Sequence, residues 1–313
     1  MVTGVYSRAT PDVAAPFSAA VAERVLRVAC DVAGLDETGA ELIRLGENAL
    51  FRLSSQPVVV RIARTMEYWA DAVKEVAVAH WLAEHQFPAA QVYEVDKVRQ
   101  PVRAGEHPVT FWCYVPGRPG DRGDVTALGL VLHRLHRMPR PSTFDLPPED
   151  VLGRFGPRIE SAPVPAADKK FLLHRLEELR SELPRLRYPL SLAAIHGDAY
   201  VQNLMFCDNQ PILIDFERFA WGQPEWDLAQ MATEYRTAGW FTSAEYGQFV
   251  EAYGYDVMSW ESGFDVLRAA HEIQMTTWIM QNVNESPEVA EEYEKRMRTI
   301  RGVASASDRW CVF

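Results

Sequence analysis

Hydrophobic and polar positions along the chain follow two periods, and the change between them divides it into a strand-rich first part and a helical second part. The first part opens with a helical period and continues with short runs that alternate or are rich in β-branched residues. After residue 120, apolar positions recur with a helical spacing. The predicted strands are 41–45, 49–53, 58–62, 91–96 and 109–115, and the predicted helices are 17–34, 67–86, 125–138, 166–182, 226–237, 244–253, 262–281 and 287–301.

A run of residues that break helices and strands separates the two parts. This run is Pro116-Gly117-Arg118-Pro119-Gly120. We therefore predict a β-rich N-lobe at 1–115, a hinge at 116–120 and a mainly helical C-lobe at 121–313. Strands and helices segregated in this way predict the α+β fold class.

One β-hairpin is predicted inside the helical part. Asn203–Phe206 pairs with Ile212–Asp215 in this prediction, and the turn lies at Asp208-Asn209-Gln210-Pro211. The hairpin matters because polar residues suited to chemistry stand at both of its outer ends.

Composition narrows the class of protein. With 313 residues, of which 48% are hydrophobic, the chain suits two lobes with a real core. A net charge of -11 argues against a general nucleic-acid binder, which would need a basic face. No apolar stretch is long enough for a membrane span, the start lacks signal-peptide features, and no obligate protein partner is evident. The four cysteines are scattered, which fits reduced thiols, so we predict a cytoplasmic protein.

Two acidic residues and an amide form the candidate chemical centre. Asp198 stands in His196-Gly197-Asp198, Asn203 follows five positions later, and Asp215 ends an apolar run before Phe216-Glu217. A carboxylate can accept the proton of an attacking hydroxyl. Carboxylate and amide oxygens are the hard ligands that Mg²⁺ prefers. The set therefore predicts phosphoryl transfer, in which these groups recur.

These motifs resemble the aminoglycoside phosphotransferase and choline kinase-like family, small-molecule kinases with a protein-kinase-like bilobal fold. The resemblance extends from about residue 38 to 300 and includes the segment that starts Gly222-Gln223-Pro224. It implies that Asp198 is the catalytic base, that Asn203 and Asp215 bind Mg²⁺, and that the phosphoryl donor is ATP or GTP. By the same resemblance His196 and Asp227 support the loop. A transition-metal site that uses His196 and Asp198 is disfavoured, because no second His lies near in the sequence.

The resemblance also implies which residues contact the nucleotide. Gly46 would let the backbone of a turn approach the phosphates. Arg61 would pair with the phosphates, with Glu75 as its partner and Glu67 as the second choice. Hinge backbone groups and apolar side chains would receive the adenine. The predicted nucleotide residues are Gly46, Asn48, Arg61, Glu75, Cys113, Val115, Met205 and Ile214.

The acceptor is predicted to be a small molecule that offers a hydroxyl. Asp215 runs almost directly into Gly222, which leaves no room for a peptide-docking platform, so a protein substrate is disfavoured. Acidic and aromatic side chains suit a cationic or sugar-bearing ligand, and a helix face with Glu272, Met275 and Thr276 fits this description. The candidate walls are Tyr200, Trp221, Glu225, Trp240, Glu272 and Trp278.

Two departures from the family pattern keep alternatives open. Tyr200 stands where protein kinases have a charge-neutralising Lys, and Glu217 stands where they have Gly. Glu217 could assist the metal or pair with Arg218. The leading hypothesis is a kinase for an antibiotic of the aminoglycoside or nucleoside type, acting as a resistance enzyme. A metabolic kinase for choline, homoserine or a sugar amine is the near alternative. A nucleotide-binding pseudokinase is the other alternative: the intact Asp198, Asn203 and Asp215 argue against it, whereas Tyr200 leaves it open.

Overall fold

The computed structural model divides the chain into two compact units. The first comprises Met1–Val76 with Gln91–Tyr114, and the second comprises Ala77–Ala90 with Val115–Phe313. The lobe limits given above stay a prediction, and residues 77–90 group with the second unit. The structure describes residues 17–46, 48–305 and 308–312.

The first unit is an antiparallel sheet covered by one helix. Its strands lie in the order β1-β2-β3-β5-β4. The helix α1 begins at Ser18, whose hydroxyl accepts from the N–H of Val21, and ends at Gly34 in the left-handed conformation. Its elements are α1 (Ala19–Ala33), β1 (Glu41–Leu45), β2 (Asn48–Arg52), β3 (Val58–Ala63), α2 (Trp69–Glu84, whose second half belongs to the second unit), β4 (Val102–Ala104) and β5 (His107–Cys113).

The core of this unit lies between α1 and the inner face of the sheet. Leu26 and Cys30 of α1 pack with inward-facing residues of β2, β3 and β5, such as Phe51, Val60 and Phe111. Alternation along β3 leaves every second side chain less buried, as a sheet with one covered face requires.

The predicted strand at 91–96 is wrong. Only Val92 forms a bridge, to Trp112, and Lys97 then turns the chain with φ +60°. The edge beside β5 is instead taken by β4, a strand of three residues that pairs with His107–Val109. So short a strand carries too few positions for an alternation to be recognised.

The second unit is mainly helical and carries two small sheets. One sheet pairs β7 with β10, and the other has the order β6-β8-β9. The predicted helices are confirmed, whereas the seven-residue helix α4 was not predicted. Its elements are β6 (Arg118–Pro119), α3 (Val125–Leu135), α4 (Phe155–Ser161), α5 (Ala166–Glu182), β7 (Ala193–Ile195), β8 (Leu204–Cys207), β9 (Gln210–Leu213), β10 (Ala220–Gly222), α6 (Pro224–Thr233, continued by a π-helical turn at Glu234–Ala238), α7 (Ser243–Tyr253), α8 (Glu261–Gln281) and α9 (Pro287–Ile300).

The hairpin β8–β9 is tighter than predicted. Asp208 and Asn209 have φ of +49° and +63°, so they form a two-residue loop of the kind that joins twisted antiparallel strands. The strands pair from Leu204 with Leu213 to Cys207 with Gln210. Ile214 and Asp215 therefore lie beyond the hairpin's open end rather than inside a strand.

Two helices form the centre of the second unit. Every residue of α6 from Pro224 to Thr233 is buried, and α8 packs against α4, α6 and α9. Within the described residues, no helix combines the length and apolar character needed to cross a bilayer. The α+β fold with a β-rich first part and a helical second part confirms the predicted fold class.

Candidate active site

The predicted catalytic loop begins where β7 ends at Ile195. Gly197 has φ +81°, in the left-handed region, and a Cβ there would lie 2.4 Å from the carbonyl oxygen of Arg218. A side chain would clash with rigid backbone, so this position requires glycine. Glycine thereby permits the sharp turn that leads into Asp198.

The carboxylate of Asp227 in α6 holds this turn. Its Oδ2 accepts from the N–H of His196 at 2.7 Å and lies 3.0 Å from Nε2 of His136, while Oδ1 accepts from the N–H of Gly197 at 2.8 Å. Burial alone would raise the pKa of Asp227, but the hydrogen bond with His136 and the N–H donors hold it below its usual range. Asp227 therefore steadies the loop backbone as an ionised group.

Asp198 lies in this loop with both its backbone and its side chain held. Nδ2 of Asn203 donates to the backbone carbonyl of Asp198 at 2.8 Å, and Nε2 of Gln274 donates to its carboxylate Oδ1 at 3.3 Å. Burial raises the pKa of Asp198 to about 6; the positive charge of Arg218 opposes the rise, and the negative charge of Asp215 adds to it. A carboxylate with this pKa is ionised at neutral pH and basic enough to accept a hydroxyl proton.

The candidate metal ligands meet at the open end of the hairpin. The N–H of Ile214 donates to the carbonyl of Asn203 at 3.0 Å, which brings Asn203 and Asp215 to neighbouring positions. Asp215 is exposed, and its φ of +64° is a strained conformation of the kind that collects at functional sites. Across the described residues, no group of three or more His, Cys, Asp or Glu could hold a metal. One amide and one carboxylate fit Mg²⁺, which takes its other oxygens from phosphate and water.

His196 and Glu217 have partners that define their places. His196 is fully buried, and its Nε2 lies 2.9 Å from the carbonyl of Ile214, which fits a supporting role. Glu217 pairs with Arg154 from the segment before α4. The sequence order did not indicate this partner, and the negative charge of Glu217 also acts on Arg218, so their suggested pairing stays a prediction.

In the first unit, Arg61 of β3 forms an ion pair with Glu75 of α2, and both side chains are largely buried. Glu67 is exposed on the turn before α2. The Asn48 amide, with its oxygen toward Arg61, accepts from Nη2 at 2.9 Å. Gly46, half-buried at the end of β1, donates its N–H to the carbonyl of Asn48 at 3.0 Å, and Glu47 lies outside the described residues. Contact of these residues with a nucleotide stays a prediction.

The predicted adenine contacts are placed as follows. The N–H of Cys113 already donates to the carbonyl of Gln91 at 2.9 Å, so this N–H is engaged within the first unit. Val115 is half-buried in the second unit, as are Met205 in β8 and Ile214 after β9. Met205 lies in β8 and Ile214 directly follows β9, near the metal candidates, whereas their contact with a base stays a prediction.

Two predicted acceptor walls lie away from Asp198. Trp221 lines a cavity of about 360 Å³ together with Arg140, Leu192 and other residues. Since Gly222 pairs with Ala193, this cavity lies at the end of the β7–β10 pair opposite the loop of Asp198. Glu225 is fully buried and accepts from the N–H of Leu190 at 2.6 Å, so it ties down a chain segment rather than facing an open space.

The remaining wall candidates occupy different surroundings. Trp278 is 45% exposed on the outside of α8. Glu272 is buried and accepts from Thr237 Oγ1 at 2.7 Å and Arg268 Nη1 at 3.0 Å. Tyr200 is half-buried directly after the catalytic loop turn. The half-buried indole of Trp240 donates to the carbonyl of Trp310 at 2.9 Å.

The sequence model of the phosphotransferase enzyme family (APH) matches residues 42–269, which is well over half of the chain. The chain belongs to this family. The resemblance seen in the motifs is thereby confirmed, and the protein is a phosphotransferase of the small-molecule kinase type. No curated protein matches the chain in sequence.

Solved structures of other kinases share the fold of this phosphotransferase. An amicoumacin kinase, hAmiN, in complex with AMP-PNP, Ca²⁺ and Ami is 15% identical with a TM-score of 0.69, covering 87% of this chain and 92% of that chain. A microcompartment-associated aminopropanol kinase is 17% identical with a TM-score of 0.65, covering 91% and 95%. A choline/ethanolamine kinase family protein from Mesorhizobium loti is 18% identical with a TM-score of 0.60, covering 92% and 96%. At these identities the likeness establishes the fold.

Sequence reasoning missed two polar residues of the phosphotransferase that lie near Asp198. Gln274 contacts its carboxylate, although the face of α8 assigned to the acceptor carried Met275 and Thr276 instead. Thr276 is fully buried and donates back to the carbonyl of Glu272. Glu234 follows α6, is 5% exposed, accepts from Gln230 at 2.8 Å and acts electrostatically on Asp198. Neither residue belongs to a recognisable motif.

Proposed function

We propose that this phosphotransferase moves the γ-phosphate of ATP or GTP to the hydroxyl of a small acceptor that carries an amine. The observation that carries the proposal is the position of Asp198, whose carboxylate accepts from Gln274 and whose backbone carbonyl accepts from Asn203 at the open end of the β8–β9 hairpin. In the reaction the acceptor oxygen bonds to the γ-phosphorus, the bond to the β-phosphate oxygen breaks, and the nucleoside diphosphate leaves. The hydroxyl proton passes to Asp198.

The chain's own residues provide the positions that this reaction needs. Asp227 and Gly197 fix the loop, so that the backbone leading into Asp198 keeps one conformation. Asn203 and Asp215 would hold Mg²⁺, which when bound neutralises phosphate charge. Arg61, braced by Glu75, is the proposed phosphate contact in the first unit. An arginine fork can take up two phosphate oxygens at once.

Met205 and Ile214 in the second unit, with backbone groups at Cys113 and Val115, are the proposed contacts of the base. Apolar side chains suit the faces of an adenine or guanine ring. Gly46 and Asn48 in the first unit are the proposed neighbours of the phosphates. A nucleotide donor of this kind is abundant in the cytoplasm, where we expect the protein to act.

An amine on the acceptor is favoured by Glu234. Burial raises the pKa of this carboxyl to about 8, so it is largely protonated at neutral pH. An ammonium group arriving beside it would favour the ionised form and gain a charge-assisted hydrogen bond. Solved structures with this fold include kinases named for amicoumacin, aminopropanol and choline. An antibiotic and a metabolic amino alcohol share this chemistry, so the acceptor panel must contain both.

A panel of acceptors tests the proposal. The protein is incubated with Mg-ATP or Mg-GTP and with kanamycin, spectinomycin, a nucleoside antibiotic, choline, homoserine and 1-amino-2-propanol, and release of ADP or GDP is followed. Each amine is paired with its deaminated counterpart, such as 1,2-propanediol for 1-amino-2-propanol. We expect at least one amine to be phosphorylated, with kcat/KM more than about 30-fold above its counterpart, which corresponds to about 2 kcal/mol.

The variant Glu234→Gln tests the origin of that preference. It should reduce the ratio between amine and counterpart while leaving KM for the nucleotide unchanged. Turnover of deaminated acceptors as fast as amines would contradict the amine assignment. Nucleotide binding without turnover of any acceptor would instead indicate a pseudokinase.

A further inference from the structure

The side chain of Asp198 receives a hydrogen bond from an element that no motif includes. Nε2 of Gln274, in the second half of α8, lies 3.3 Å from Oδ1 of Asp198. The family match ends at residue 269, five positions before Gln274. The contact therefore joins the loop with the family signature to a part of this chain that the family match does not include.

Gln274 is built into the protein rather than mobile on its surface. It is 8% exposed, and its neighbours Ile273 and Thr277 on the same helix are fully buried. His271, one turn earlier on α8, is stacked on Trp226 at 3.8 Å between ring centroids, and its Nε2 lies 3.0 Å from the carbonyl of Trp226. This stacking fixes α8 against α6, the same helix whose Asp227 holds the catalytic loop.

The backbone and the carboxylate of Asp198 are held by different partners. Asn203 bonds its carbonyl, and Asp227 bonds the two preceding N–H groups. None of these hydrogen bonds restrains rotation about the Cβ–Cγ bond of Asp198, and this torsion has a broad preference in a carboxylate. The amide of Gln274 acts on that torsion, because it anchors Oδ1 and leaves the other carboxylate oxygen for the acceptor hydroxyl.

We infer that Gln274 is a positioning residue for the catalytic carboxylate of Asp198, orienting it for proton transfer from the acceptor. The inference rests on the proposed function, in which Asp198 accepts that proton. A hydrogen bond of 3.3 Å is long, but catalytic hydrogen bonds often shorten once the substrate is bound. Misplacement of a reacting group by about 1 Å can cost about 100-fold in rate. Loss of the amide should therefore act on kcat rather than on nucleotide binding.

The test uses substitutions that keep the volume of the side chain. Gln274→Met removes the donor but retains the length, and Gln274→Glu replaces the donor with an acceptor. Gln281→Met is the matched control, because Gln281 lies on the same helix and is exposed. Initial rates are measured with Mg-ATP and with the acceptor of the panel that the wild type turns over with the highest kcat/KM. Circular dichroism and nucleotide Kd establish that each variant is folded.

We expect kcat to fall about 10- to 100-fold in both Gln274 variants, with nucleotide KM within about twofold of wild type, and Gln281→Met to behave as wild type. In an Asp198→Asn background, Gln274→Met should lower the residual rate by less than twofold, because the group it positions is gone. A Gln274→Met enzyme with wild-type kcat overturns the inference, as does an equal loss in the Asp198→Asn background. If Gln274→Met does not fold, the same criteria apply to Gln274→Glu. A wild type that turns over no acceptor overturns the proposed function and this inference together.

Discussion

At the scale of single residues, the properties of the site depend on the groups that surround the carboxylate of Asp198. Its carboxylate combines burial, which raises its pKa to about 6, with a nearby positive charge from Arg218 that moderates the rise. A carboxyl group whose pKa lies near neutrality suits the proton transfer that we propose for Asp198. Among the positively charged groups, Arg218 acts most strongly on Asp198.

Replacement of Asp198 by Asn is the most direct test at this scale. The substitution keeps the shape but removes the proton acceptor, so we expect kcat to fall about 100- to 10,000-fold while nucleotide Kd changes little. Single-turnover rates and isothermal titration measure the two effects separately. Asp208→Asn is the control, since Asp208 is exposed at the turn of the nearby hairpin. Full turnover by Asp198→Asn would contradict the proposed mechanism.

At the scale of elements, α6 supports the site from within the protein. Its Asp227 accepts three hydrogen bonds while fully buried, and its continuation places Glu234 beside the charge of Asp198. A helix with every residue buried has no contrast between an apolar and a polar face, because neither face is exposed to solvent. Such a helix can carry buried acids only where each has a partner or a raised pKa.

Asp227→Asn should destabilise the protein as well as slow it. An amide would turn an NH₂ group toward the N–H of His196 or Gly197, where only an acceptor fits. We expect the free energy of unfolding to fall by about 3 kcal/mol, as for a buried charged group that loses its partners. Urea denaturation followed by fluorescence measures this. The matched Asp265→Asn, at an exposed position of α8, should change it by less than about 0.5 kcal/mol.

Glu234 gives α6 a pH dependence with a defined sign. The pKa of this carboxyl is about 8 in the folded protein, against an ordinary value of 4.5 that applies when the chain is unfolded. Between these values the folded state binds the extra proton, so the free energy of unfolding falls as the pH rises, at up to about 1.4 kcal/mol per pH unit. Below pH 4.5 both states are protonated and the slope from this group vanishes.

Glu234→Gln should remove that part of the pH dependence. The other buried acids contribute equally to the wild type and to the variant. The change in the free energy of unfolding between pH 5.5 and pH 8, measured with urea for each protein, therefore differs only by the contribution of Glu234. We expect the wild type to lose on the order of 2 kcal/mol more than the variant over this interval. Glu251→Gln, at an exposed position of α7, is the control. Parallel curves for wild type and Glu234→Gln would show that this carboxyl is already ionised in the folded state.

At the scale of the whole molecule, long helices and motif spacing could be predicted, whereas strands of three residues and the contacts of buried side chains could not. Helices such as α1 and α9 present one polar face to water, so their period is visible in the sequence. The strands β4, β7 and β10 have three residues each, too few for a period. Spacing singled out Asp198, Asn203 and Asp215 as candidates, and their roles stay predictions. Gln274 could not be singled out, because residues 270–274 of α8 are all buried and no contrast marks the side that meets Asp198.

Binding of the nucleotide donor should stabilise the phosphotransferase, because a ligand that binds only the folded state shifts the unfolding equilibrium toward it. At a free nucleotide concentration of 100 Kd, the free energy of unfolding should rise by about 2.7 kcal/mol. Mg²⁺ is proposed to bind Asn203 and Asp215. Without the ion, the carboxylate of Asp215 and the triphosphate are both negative and repel each other. Removal of Mg²⁺ by EDTA should therefore reduce the rise in melting temperature that ATP produces and abolish turnover.

Asp215→Asn should reduce the rise in melting temperature produced by ATP even when Mg²⁺ is present. The variant keeps an oxygen ligand but loses the negative charge that attracts the ion. Arg61→Met should lower the protection by ATP both with and without Mg²⁺, since its proposed contact is with phosphate directly. Melting temperatures measured by scanning calorimetry over a series of ATP and Mg²⁺ concentrations separate the two patterns. Equal protection by ATP in EDTA and in Mg²⁺ would remove Asn203 and Asp215 from the donor site, whereas unchanged protection in Arg61→Met would remove Arg61.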